Sequence, residues 1–106
     1  MHEFSVGEAL RSFDRVAAVW GLSKIEKGEL LGIRVVGPAL DVRLSALMKI
    51  FGSLHVLYSD TVRSAIWLRS SNADLDGKCP LDVMKENCTG LLLVRNHLFF
   101  QMREVA

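Results

Sequence analysis

The stretch from Asp60 to Leu81 constrains this chain more tightly than any other. It reads D-x-x-x-x-A-x-W-L-x-x-x-N-x-x-L-x-G-x-x-P-L. Ser59 or Asp60 can cap a helix through its side-chain oxygen, and Val62, Ile66 and Trp67 make that helix apolar up to about Arg69. SSNADLDGK then reads as a polar loop with a glycine suited to a tight turn. Pro80 opens the next helix at the position where a missing N–H costs nothing. The segment predicts two helices at a fixed joint, with a tryptophan on the last turns of the first. It carries no nucleophile, metal cage or phosphate loop, so a functional role for it means recognition of another protein rather than catalysis.

The remaining segments are helical too. From about Ser5 to Trp20, Val6, Ala9, Leu10, Phe13, Val16, Ala17 and Trp20 recur at three- and four-residue spacing. Glu8, Arg11, Ser12, Asp14 and Arg15 fall opposite, and Gly21 ends the helix. Ser23 and Glu26 form a capping box for a short helix ending at Leu30–Leu31, before Gly32. After a turn through Arg34–Pro38, a long helix runs from about Ala39 to Tyr58. Its main stripe is Leu40, Leu44, Leu47, Met48, Phe51 and Leu54, and Val42, Ile50 and Leu57 extend it to a second face. A helix apolar on more than one side is central to a core or shared with a partner. A last helix begins at Thr89 or Gly90. The expected fold is all-α, with about six helices.

Size and charge narrow the function classes. A chain of 106 residues, half of them hydrophobic, is a small folded unit with little interior for its apolar side chains, which points to an interface. Thirteen basic against twelve acidic residues leave a net charge of +1. Up to Tyr58 there are seven basic and six acidic residues, and six of each after it, so no arm is basic enough for strong non-specific nucleic-acid binding. No apolar run approaches the roughly 20 residues of a membrane span. The start lacks a secretion signal, which makes the cytoplasm the expected location and Cys79 and Cys88 structural thiols. With His97 they match no zinc spacing, and no metal or cofactor is expected. His2, His55 and His97 have no partners spaced as a triad or general base, and no enzymatic activity is expected.

The segment WGLSKIEKGELLGI looks like the opening of a helix-turn-helix. The polar helix that would enter the major groove is missing after Ile33. Helical packing is therefore the better reading here than DNA readout.

From roughly Val42 to the end the chain resembles the toxin-binding domain of Xre/MbcA/ParS-type antitoxins. The matching residues are Arg43, Leu44, Asp60, Ala65, Trp67, Leu68, Asn72, Leu75, Gly77, Pro80 and Leu81. A small-residue break and the terminal helix follow. Cys79 departs from the pattern, which more often has a small polar residue there. The resemblance implies a degenerate helix-turn-helix-like region over 1–40 and a toxin-binding domain over 41–106. It implies an antitoxin that binds and inhibits a RES-domain toxin, an enzyme that degrades NAD or transfers ADP-ribose from it, by covering the active-site cleft. It further implies a homodimer within a toxin–antitoxin complex. The alternatives are a DNA-binding repressor of its own operon, weakened here by the absent recognition helix, or a helical dimerisation module.

Trp67, Leu68, Asn72, Leu75, Gly77, Pro80 and Leu81 are expected to act as scaffold, with Trp67 anchored in the core. Contacts with the toxin are expected from the terminal helix. Leu91, Val94, Leu98, Met102 and Val105 form one stripe; Leu92 and Phe99 form a second, and Leu93 and Phe100 a third. One stripe serves the core and another an interface, where aromatic, Met and Arg residues are enriched. This singles out Arg95, Phe99, Phe100, Met102 and Arg103, with Glu104 and the Ala106 carboxylate as mimics of an anionic dinucleotide.

Overall fold

The computed structural model describes residues 6–32 and 34–105. They form six helices: α1 (Val6–Trp20), α2 (Lys24–Leu31), α3 (Pro38–Tyr58), α4 (Thr61–Leu68), α5 (Pro80–Glu86) and α6 (Cys88–Val105). A single 3₁₀ turn, Ala73–Leu75, lies in the loop before α5, and no strand occurs among the described residues. The all-α expectation holds. Ile33, and His2 and Ser5 near the start, lie outside the described residues.

Local chemistry sets the helix ends. The capping box of α2 forms as expected, the Glu26 amide donating to Ser23 Oγ at 3.1 Å and the Ser23 amide to Glu26 Oε1 at 2.9 Å. Between α2 and α3 the chain runs through Gly32, Arg34 and Gly37, all at positive φ, and no helix intervenes before Pro38. The last helix begins at Cys88, slightly earlier than the Thr89 or Gly90 expected. Asn87 explains the difference: its Oδ1 accepts the Gly90 amide at 2.8 Å and its carbonyl the Leu91 amide at 3.2 Å.

The core is continuous from α1 to α6. Phe13, Val16, Ala17 and Trp20 of α1 meet Leu40, Leu44, Ala46, Leu47, Ile50 and Leu54 of α3, and Leu91, Val94 and Leu98 of α6 complete it. The packing of α3 on α6 is the most extensive in the fold, followed by that of α5 on α6. The two tryptophans sit differently in the core. Trp20 is fully buried, its ring 6.1 Å from Phe51. Trp67 is half-buried at the core's edge, stacked on His97 at 6.3 Å. On the second apolar face of α3, Ile50 is fully buried, as a helix central to the core requires, while Val42 is exposed.

A charged clamp joins the first helices to the later ones. The Arg69 guanidinium just after α4 donates to both carboxylate oxygens of Glu26, at 2.9 and 3.0 Å, and to the Gly21 carbonyl at 3.0 Å. Lys85 of α5 approaches Glu26, Glu29 and Asp82 at 4.0, 3.9 and 3.5 Å. Hydrogen bonds from Arg69, above all, and from the Ser23 amide hold the Glu26 carboxyl down to about 2 from an ordinary 4.5. A depressed carboxyl adds stability that is complete above its unfolded value and lost as pH falls through the folded one. Glu26→Gln keeps the capping acceptor but removes the charge. With Arg69 half-exposed, it is expected to cost about 1–2 kcal/mol in denaturant melts at pH 7. The gap from wild type should shrink below pH 4.5 and close near pH 2.

Candidate functional site

The Asp60–Leu81 segment folds into a joint whose loop is held by its own polar groups. Asp60 caps α4, its Oδ1 accepting the Val62 amide at 2.8 Å. Asn72 organises the loop: its Oδ1 accepts the Asp74 amide at 2.9 Å, and its carbonyl accepts the amides of Leu75 and Gly77. The Asn72 amide in turn donates to the Lys78 carbonyl at 3.1 Å. Gly77 sits at φ +78, a region that favours glycine, and Ser71 Oγ donates to its carbonyl at 2.6 Å. Cys79 Sγ donates to the Arg69 carbonyl at 3.2 Å. Leu68, Leu75, Pro80 and Leu81 are buried. Arg43, outside the segment, donates to the Leu30 carbonyl at 3.1 Å and so closes the end of α2.

The joint delivers α5 onto α6 at one close approach. A Cβ on Gly90 would land on the Val83 carbonyl, so only glycine lets the two helices meet there. His97, the residue before Leu98, places its Nε2 4.0 Å from Asp74 Oδ2, too far for a hydrogen bond.

Beyond that contact α6 divides its faces as its periodicity dictates. Leu91, Val94 and Leu98 are fully buried and Met102 is half-buried. Phe99 and Phe100 are 51% and 66% exposed, and Leu93 is exposed with them. The side chain of Val105 and all of Ala106 lie outside the described residues. Phe99, Met102, Arg95 and Asn96 form one wall of a groove of about 700 Å³. The other wall is the outer face of α3: Lys49, Gly52, Ser53 and Val56. A smaller cleft lined by Asn96, Phe99, Phe100 and Arg103 adjoins it. The structure thus brings Arg95, Phe99, Phe100, Met102 and Arg103 to one surface. Glu104 lies roughly 140° round the helix from Phe99.

Sequence reasoning missed the α3 wall. Its signal is faint, a stripe of Ser45, Lys49, Gly52, Ser53 and Val56 at helical spacing in a helix otherwise dense in Leu and Ile. The floor is shallow at Gly52, where an added Cβ would meet nothing within 4 Å. A second apolar surface, Val19, Val62 and Ile66, borders an open depression of about 510 Å³ between α1 and α4.

Residues 46–98 match the family model of the antitoxin Xre/MbcA/ParS C-terminal toxin-binding domain. The chain belongs to this family. The match starts within α3 and ends at Leu98, a fully buried residue of α6. It therefore spans the whole joint, the α3 wall and Arg95, and stops before Phe99. A toxin is the partner that a domain of this family implies. No curated protein and no solved structure matches the chain. No described helix is long and apolar enough to cross a membrane.

Two glycines separate scaffold from surface. Gly90→Ala is expected to destabilise the fold by about 1–3 kcal/mol, the usual cost of overpacking. Gly52→Ala, in open space on a helix, is expected to stabilise it by about 0.5–1 kcal/mol. Thermal and denaturant unfolding of the two variants checks both signs.

Proposed function

We propose that this chain is the antitoxin of a toxin–antitoxin pair and neutralises a RES-domain toxin, an enzyme that consumes NAD, by covering its active-site cleft. Membership of the toxin-binding family carries the reading, and the exposed aromatic end of α6 supports it. A small domain rarely leaves two adjacent phenylalanines in water unless a partner covers them. In this reading 41–106 is the toxin-binding domain and 1–40 a helix-turn-helix-like unit whose recognition helix is absent. Arg95, Phe99, Phe100, Met102, Arg103 and Glu104 contact the toxin. Trp67, Leu68, Asn72, Leu75, Gly77, Pro80 and Leu81 hold them in place.

The assembly we propose is a homodimer of this chain carrying toxin. The α6 surface is assigned to the toxin, and the surface of Val19, Val62 and Ile66 to the second copy. Ile66→Glu is therefore expected to shift the chain from dimer to monomer in sedimentation while its helical circular dichroism is retained. A variant that stays dimeric would remove that assignment.

The test of function is titration of this chain into an NAD-consumption assay of the RES-domain protein encoded beside it. Inhibition should be stoichiometric, with activity abolished once every toxin site is matched. Undiminished NAD loss at molar excess would overturn the proposal.

A further inference from the structure

On the reading that this chain binds a toxin, we infer that the α3–α6 groove docks an amphipathic helix of that toxin, apolar on the inserted side and acidic along its flanks. Three observations carry the occupant's chemistry. The first is shape. The groove lies between two helices that pack along their length, and from Arg95 to Arg103 its α6 wall runs about 12 Å, a little over two helical turns. An extended peptide adds its main chain to a sheet edge, and the described residues contain no strand. A helix satisfies its own main chain and needs only a furrow for its ridge of side chains.

The second observation is the lining. Phe99, Met102 and Val56 make the surface apolar, and Val56 is 62% exposed. Opposite the aromatic wall, Gly52 and Ser53 keep α3 thin, so a docked helix can approach it closely.

The third is charge. The charged residues lining the groove and its adjoining cleft are Lys49, Arg95 and Arg103, all positive. Neither Lys49 nor Arg103 is paired with a carboxylate among the described residues. Among the described residues the Arg95 guanidinium is held only by the neighbouring Asn96 Oδ1, at 3.1 and 3.3 Å. Glu104 is not among the residues lining the groove or the cleft, and Asp41 lines a neighbouring depression against α1 that Lys49 also borders. In a chain of net charge +1 this concentration of cations selects acidic flanks on the occupant.

Gly52 makes the inference testable without loss of fold. Gly52→Leu fills the groove from below, and because its Cβ points into open space the helix gains propensity rather than strain. Binding of the purified RES-domain protein to wild type, Gly52→Leu, Arg95→Glu and Arg103→Glu is measured by titration calorimetry, with thermal midpoint and sedimentation for each chain alone. Gly52→Leu should weaken binding about 30-fold or more with its midpoint unchanged or raised. Each charge reversal should weaken it about tenfold, less so at high salt. Wild type that binds while Gly52→Leu binds within about threefold of it would overturn the groove but leave the antitoxin reading standing. Charge reversals that tighten binding would overturn the acidic flanks. Loss of the dimer in Gly52→Leu with toxin binding intact would make the occupant a second copy. No binding to wild type would remove the antitoxin reading and this inference together.

Discussion

The packing of α3 against α6 is the contact on which the rest of the molecule depends. Leu44, Leu47, Ile50 and Leu54 from one helix and Leu91, Val94 and Leu98 from the other are essentially inaccessible to water. Each such side chain contributes about 1.5–3 kcal/mol on burial, so this seam outweighs any surface ion pair in the fold. It also decides where function can lie. A helix that commits one stripe to a seam has to present the others, and α6 presents Phe99, Phe100 and Arg103. The groove is the outer edge of the same seam, at the point where α3 thins to Gly52 and Ser53.

The Asp60–Leu81 joint takes its meaning from that seam. Its loop closes on itself around Asn72, its Arg69 ties it to Glu26 and Gly21, and its buried side chains fix α5 to α6. No polar atom in it is arranged for chemistry. The family match covers this joint and ends where α6 leaves the core.

Much of this was legible in the residues because it is local. The Ser23–Glu26 box, Asp60 as a cap, Pro80 at a helix start and the 91–94–98 stripe depend on neighbours a few positions away. What was not legible depends on which elements meet. Trp67 looked like the core anchor from its motif, but Trp20 holds the centre because α1 crosses α3 and packs against Phe51. Periodicity leaves the second face of α3 open between core and partner, and packing buries Ile50 while leaving Val42 exposed. Asn87 is inconspicuous as a cap because the apolar run begins only at Leu91. The α3 wall of the groove was hidden for the same reason: Lys49, Gly52 and Val56 gain significance only beside Phe99 and Arg95. The clamp of Glu26 by Arg69 spans 43 residues of sequence, and no pattern in either helix announces it.

The central claim is that the toxin is met by the α6 end and the outer face of α3, with the joint behind them as frame. Hydroxyl-radical footprinting of this chain, alone and with the RES-domain protein, tests it directly. Phe99, Phe100 and Met102 should lose most of their reactivity in the complex, while Val62 and Ile66 keep the reactivity they have in its absence. Unchanged reactivity at the three α6 residues, with protection at Val62 and Ile66 instead, would contradict the account.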